Sequence, residues 1–389
     1  MHSLEKFMLR LSEKRTRTLL YQGLLIAFIL MFFYIACVNV NNNLAAAGIH
    51  IDYGFLFSES GFDVNESLIE YSSESSYIRA LFVGFLNTIL LSFVCIVGAT
   101  LLGVAFGVLR ASQNWLGSSI SFLYIELMRN LPKLLILLTL YILSINSLPH
   151  VREAYQFFGV FHLSNRALYF PTLIWQEHMI TVFLTCVAAL IVVYIYRRYV
   201  NHFKDKTGQD LPFLWPSFLF VGFVFFLVSM ILGVNYSFDF PALQGFNFAG
   251  GGEVSVQFFV LAFTLSIYHG GQIAELVRGG IQSISKGQEE AARAIGLSYL
   301  QTMRLVVLPQ ALRVIIPPIG NQYLNITKNT SIGLAVGFSD LVSVMNTSIN
   351  QTFRPIELMS VSTLIYLAIC LVVSVLINAY NNHTRLEKA

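Results

Sequence analysis

Three long stretches without a single charge, 19–40, 80–109 and 358–380, decide what this chain can fold into. Each is long enough to cross a hydrocarbon core of about 30 Å, which takes roughly 20 apolar residues. In such a core only helices and closed barrels satisfy their own backbone. A barrel would read as segments of about ten residues with alternating polarity, and none is present. Of 389 residues, 56% are hydrophobic and 12% charged, with mean hydropathy +0.66. A water-soluble domain of this size could not hide that much apolar surface. The fold class is therefore all-α, a polytopic helical membrane protein.

Charge orients it. Residues 1–18 hold Lys6, Arg10, Lys14, Arg15 and Arg17, whereas 41–78 carries Asp52, Glu59, Asp63, Glu66, Glu70 and Glu74. Lys and Arg near span ends stay cytoplasmic, so the N-terminus is expected inside. Alternation then gives about eight transmembrane helices, near 19–40, 80–109, 130–148, 179–196, 213–233, 255–277, 311–337 and 357–380. Nineteen of the 24 Lys and Arg fall inside on this count, Arg110, Arg129 and Lys133 among them. The exceptions are Arg79, Arg152, Arg166, Lys328 and Arg354. The 19–40 stretch resembles a signal sequence too; its length and the lack of an obvious cleavage site favour a retained anchor, while Ala45-Ala46-Ala47 leaves cleavage open. Cys37, Cys95, Cys186 and Cys370 form no CxxC pair and read as packing residues.

The organisation that follows is a cytoplasmic segment 1–18, an anchor 19–40, an outer loop 41–78, and a core in two parts, 79–148 and 255–380. Between the parts lies an insert, 149–254, with two spans of its own; 381–389 is an inner tail. The tail of the 41–78 loop reads as a surface segment. Tyr169, Phe170, Pro171 and Trp175 suggest an interfacial re-entry, because Trp and Tyr favour the headgroup level. Gly250-Gly251-Gly252 marks a turn. Residues 116–133 read as an amphipathic helix on the inner surface, leading through Pro132 into the next span, where a first-turn proline sacrifices no hydrogen bond.

The most informative loop is ELVRGGIQSISKGQEEAARAIGLSYLQTMRLVVLP, residues 275–309. Glu275 and Arg278 share a helix face, and Gly279-Gly280 lets the chain leave the span. Ser285 is placed to cap a short helix over 286–295, with Glu289 and Glu290 near its positive end. Gly296 stops that helix and a second begins near Ser298. The product is a helical elbow on the inner face, thinned by Ala291 and Ala292 for close approach by another protein.

This pattern resembles the EAA loop of permease subunits of ATP-binding-cassette importers: Glu290-Ala291-Ala292, three residues, Gly296, then Leu308-Pro309. Val306 stands where that family favours Ile. The flanks IAELVRGGIQSISKGQ and LPQALRVIIPPIGNQYLNITKNTS, with YIELMRNLP at 124–132, resemble its polar amino acid branch. The extra anchor, the long insert and LSNRALYFP at 163–171 look like the larger permease of a general L-amino acid importer. The resemblance covers nearly the whole chain. It implies a type I importer fold with a five-helix core, the coupling loop 279–310 lying between its third and fourth helices. It also implies ATPase subunits docked at Glu290, Ala291, Ala292, Gly296, Leu308 and Pro309. The other implied partners are a second related permease subunit, a periplasmic amino-acid-binding protein, and the bilayer of a bacterial inner membrane. The chain itself would hold no cofactor and do no bond chemistry. It has no Gly-Lys dipeptide, so no phosphate-cradling loop; ATP and magnesium are expected on the partner. Nothing points to nucleic acid.

Within the spans, Lys328 needs explaining, since a charge well inside the core costs at least ~2.5 kcal/mol unless paired or wetted. It sits in a polar stretch with Asn325, Asn329 and Thr330. Either this stretch lines the translocation path at a helix break, or Lys328 pairs with a partner-subunit carboxylate or snorkels outward. His269 and Gln272 lie in the sixth span beside Gly270-Gly271, a setting typical of helix packing. The alternative function is an ion-gradient-driven secondary amino acid transporter. Such proteins carry paired broken helices, and the sequence offers one broken segment, around 325–331, without a counterpart.

Overall fold

The computed structural model describes residues 14–46, 48, 51–209 and 211–385. Lys6, Arg10 and Lys388, used above to fix orientation, lie outside them. The helices before the insert are α1 (Lys14–Ala46), α2 (Tyr77–Ala111), α3 (Trp115–Asn130) and α4 (Lys133–Ser147). The insert has strands β1 (Tyr155–Phe157), β2 (Phe161–Leu163), β3 (Ala167–Phe170) and β4 (Thr172–Leu173), then helices α5 (Met179–Thr207) and α6 (Leu214–Ile231). It closes with β5 (Phe238–Asp239), β6 (Ala242–Gln244), β7 (Asn247–Ala249) and β8 (Gly252–Ser255). After it come α7 (Val256–Gln282), α8 (Lys286–Ala294), α9 (Tyr299–Thr302), α10 (Leu308–Asn329), α11 (Leu341–Thr352) and α12 (Pro355–Arg385).

Among the described residues, six helices are long and apolar enough to cross a membrane, or seven if α3 and α4 count as one bent pair. The eight expected from charge alternation are not all reproduced. At 27 residues α7 spans about 40 Å, but His269, Gln272, Glu275 and Arg278 dilute its apolar content. It tolerates them because it is the central helix, surrounded by protein. Helix α2 lies along it at glycine-scale separation: a Cβ added to Gly103 would meet Ile273 Cγ2 at 2.4 Å, and one on Gly107 would meet Val277 Cβ at 2.6 Å. Lipid is as apolar as leucine, so helices there associate through such close packing rather than by hiding apolar surface.

Between α3 and α4 the axis turns by 102°. The bend falls at Leu131, whose φ −91° and ψ 137° are the extended values that a following proline imposes. Helix α4 alone, about 22 Å long, cannot cross the core. Nor does α3 merely coat the inner surface, as its amphipathic pattern suggests. Tyr124 donates to Ile267 O at 2.5 Å, and Met128 lies against Gly271, so α3 packs on the flank of α7.

The 51–76 segment is also more than a surface tail. Leu56 and Tyr77 are buried with Ala80, Leu341, Met345 and Leu358, and Arg354 donates to Asp52 O at 2.8 Å. Aromatics hidden among its acids, Phe55, Phe62 and Tyr71, pack against this second core.

In the insert, α5 and α6 pair as a hairpin, and α6 buries none of its own residues. Antiparallel strands in the order β1-β2-β3-β8 join the insert to the start of α7. The expected interfacial re-entry is therefore a sheet. Ala167 and Tyr169 alternate inward on β3, and the Tyr169 hydroxyl donates to Asn247 Oδ1 at 2.8 Å. Trp175 alone of the expected interfacial aromatics is largely exposed. The glycine run behaves as read: Gly250 and Gly251 take positive φ, 77° and 64°, just before β8.

Candidate coupling and translocation sites

Helix α7 does not end at Gly279-Gly280. It continues to Gln282, and Gly280 serves a different purpose, since a Cβ there would stand 2.1 Å from Ile315 Cγ1 of α10. The chain then turns into α8. Ser285 occupies the cap position with φ −64° and ψ 137°, but its hydroxyl makes no capping bond. Glu289 in the first turn faces the positive helix end and sits 3.8 Å from Arg293. Glu290 and Ala291 are exposed, while Ala292 is buried against the following segment. Gly296, with φ 87°, makes the left-handed turn that a side chain would strain. Ile295 and Leu300, each 78% exposed, give the elbow an uncovered apolar surface.

The second helix starts with a reciprocal capping box: Gln301 N donates to Ser298 Oγ, and Ser298 N donates to Gln301 Oε1 at 2.9 Å. It runs without a gap from α9 through a π-helical turn, Met303–Val307, into α10. The physical reason lies in Leu308-Pro309. Pro309 has no N–H for the Leu305 carbonyl and its ring would strike that oxygen, so the preceding turn widens. The second half of the elbow and α10 thus form one continuous rod, to which α8 is tied where Gln310 Nε2 donates to Gln288 Oε1 at 3.3 Å.

On α10, Pro317, Asn321, Asn325 and Lys328 are exposed, spaced by three and four, so they form one stripe that the chain's own helices leave open. The four residues expected in the path divide. Asn325 and Lys328 belong to the open stripe. Asn329 turns inward, where its Oδ1 accepts from Lys133 Nζ and its Nδ2 lies 3.2 Å from His269 Nε2. Thr330 is fully buried and donates to Thr327 O at 2.9 Å.

Lys133, counted above only as an inner-surface charge, is thereby drawn against α7 and α10. It begins α4 beside His269, about 20 Å along α7 from Val256 at 1.5 Å per residue. Sequence reasoning missed it, although Lys133 directly after Pro132 and before a long apolar run was a usable sign. His269, read from sequence as a packing residue, is buried within reach of Asn329, with Gln272 and Gln322 beside its ring.

At the end carrying the 51–76 segment, a cavity of about 610 Å³ opens between that segment, the β3–β8 edge and α2. Glu66 and Glu253 both line it. Glu66 Oε1 is buried without a hydrogen-bond partner among the described residues. Burial first, and the Glu253 charge second, push the Glu66 carboxyl up from 4.5 to about 7. The folded state thus favours the neutral acid. Its contribution to stability is fully present below 4.5 and lost as pH rises through about 7. The purified protein should melt at a lower temperature at pH 8 than at pH 5, and Glu66→Gln should reduce that difference; an unchanged slope in the variant would assign the effect elsewhere.

Residues 207–386 match the family described as binding-protein-dependent transport system inner membrane component. The general L-amino acid transport system permease protein AapQ of Rhizobium johnstonii is 39% identical over 95% of this chain and 92% of its own length. The putative amino-acid ABC transporter permease protein YhdX of Escherichia coli is 41% identical over 88% of each chain. A glutamate/glutamine/aspartate/asparagine transport system permease protein, BztB of Rhodobacter capsulatus, is 35% identical over 90% of this chain and 89% of its own. Among solved structures, an amino acid ABC transporter with histidines aligns with TM-score 0.47 and 20% identity over 79% of this chain and 95% of that one. With a relative of this identity matched almost end to end, the chain belongs to the family of ABC importer permeases, the membrane-spanning components of binding-protein-dependent transport systems.

Proposed function

We propose that this subunit moves amino acids inward across a bacterial inner membrane, with both termini cytoplasmic. The observation that carries the proposal is the rod from Tyr299 to Asn329. It joins the elbow, with Glu290, Ala291, Gly296, Leu308 and Pro309 exposed and Ala292 buried beneath them, to the open stripe at Asn325 and Lys328. Separate ATPase subunits, a homodimer that binds ATP and magnesium, grip the elbow. Their closure swings the rod, and the stripe changes which side of the membrane it faces. This chain needs no cofactor of its own. The uncovered stripe calls for a facing half-pore, supplied by a second, related permease subunit. A periplasmic binding protein delivers the amino acid to the β-stranded insert and the 51–76 segment. In this scheme Asn329 positions Lys133 rather than touching cargo.

Affinity purification in mild detergent should bring down an ATPase and a second permease with this chain. Solute accumulation by the polypeptide alone, driven only by an ion gradient, would sink the proposal. Lys328→Ala should lower uptake at least about tenfold, the equivalent of one charge-assisted hydrogen bond of ~1.5–3 kcal/mol. The complex should still assemble. Undiminished uptake removes Lys328 from the path.

A further inference from the structure

A second charged cluster lies outside both sites. Helices α2, α3 and α7 converge on a cavity of about 270 Å³ whose wall includes Arg110, Phe122, Glu126, Arg129, Glu275 and Arg278. Three guanidiniums face two carboxylates. Glu275 is taken up by Arg278, which donates to both of its oxygens at 2.6 and 2.8 Å. Arg129 reaches Glu126 and Glu275 only at 3.8 Å. Arg110 donates to Ser118 Oγ at 2.6 Å and lies 5.1 Å from the Phe122 ring, with no carboxylate in ion-pair range among the described residues. The cavity therefore presents surplus positive charge, from guanidiniums on three helices.

Its depth is informative. Glu275 and Arg278 lie about 28 and 33 Å along α7 from Val256, at 1.5 Å per residue. That is the far edge of a core of about 30 Å, the level of the phosphate groups. Beside the cavity, Trp115, Leu116 and Leu123 on α3 are all more than half exposed, an apolar face suited to acyl chains. Basic pockets between helices on the inner side attract anionic headgroups.

We propose that this cavity binds the phosphodiester of an anionic phospholipid, held by Arg110 and Arg129, with its acyl chains against Trp115, Leu116 and Leu123. The assignment to the inner leaflet rests on the orientation proposed above. The binding itself does not, and the test reads it in detergent, where sidedness plays no part.

The intact complex, purified in mild detergent, is titrated with phosphatidylglycerol or phosphatidylcholine and the retained lipid counted by native mass spectrometry. Phosphatidylglycerol should be retained in preference to phosphatidylcholine, and Arg110→Gln/Arg129→Gln should retain at least about tenfold less of it. Equal retention by variant and parent overturns the proposal. So does displacement by inorganic phosphate as effective as by phosphatidylglycerol, which would make the ligand a free anion. If the double variant fails to assemble, Trp115 reports in its place. With Trp175→Phe and Trp215→Phe, the part of the fluorescence that a further Trp115→Phe removes should be quenched by brominated phosphatidylglycerol at a lower lipid fraction than by brominated phosphatidylcholine. Identical quenching curves overturn the proposal as firmly.

Discussion

Glu290→Arg should strip the ATPase subunits from the purified complex while leaving the membrane helices folded. Glu290 is exposed on α8, so reversing its charge removes no internal contact and creates no cavity. The loss falls on the docking surface, where disrupting one partner of a close charge pair costs about 2–5 kcal/mol. At ~1.4 kcal/mol per decade, co-purification should fall at least about 25-fold, and uptake with it. Ile295 and Leu300, equally exposed, would still offer apolar area, so a residual weak association is expected. Circular dichroism and elution volume of the variant should match the parent. Full retention of the ATPase by a folded Glu290→Arg protein would remove Glu290 from the coupling surface.

The largest stability effect should come from Gly103→Leu. Gly103 faces Ile273, which is fully buried on α7, and a Cβ at Gly103 already lies too close to Ile273 Cβ at 2.5 Å. Neither helix can retreat without opening the packing on both sides of the contact, at Gly98 and Gly107. Overpacking of this kind costs about 1–3 kcal/mol, and a whole isobutyl group belongs at the upper end. Gly222→Leu on α6 is the matched control, because nothing lies within 4 Å of the Cβ it would add. Melting of the two variants in detergent should separate clearly; equal melting temperatures would show that the α2–α7 seam does not hold the fold together.

What the sequence could reveal followed from how strongly each signal competes with its surroundings. Long apolar runs face lipid, and no other environment accommodates them, so α2 was legible almost to its ends, α12 nearly so, and α1 through its apolar middle. The elbow was legible because turn chemistry is local: Gly296 ends α8 and Ser298 caps the next helix whatever lies around them. Burial inside the protein was harder to see. Helix α7 carries His269, Gln272, Glu275 and Arg278 because its neighbours, not lipid, surround it. The contact made by Lys133 escaped for a related reason. Counting Lys and Arg near span ends says nothing of their partners, and the turn at Leu131 brings the start of α4 against Asn329, beside His269. The sequence offered one broken segment, near 325–331; the structure adds a second, between α3 and α4, and the two meet at Lys133 and Asn329. The insert's sheet escaped notice because strands of two to four residues are too short to establish an alternation. Tyr169 therefore looked like a headgroup anchor when it is a buried rung.

That same sheet has a consequence for how such subunits can be built. Phe170 and Gly252 are cross-strand partners, so the polypeptide enters and leaves its two-helix outrigger at adjacent points. Excising 171–251 and rejoining the cut ends through a tight reverse turn is expected to leave α4 and α7 in place, at the cost of the contacts that Tyr169 makes with Asn247 and Phe248. The helix pair is thus a side branch closed at its base by one strand pair, not a link in the path from α4 to α7.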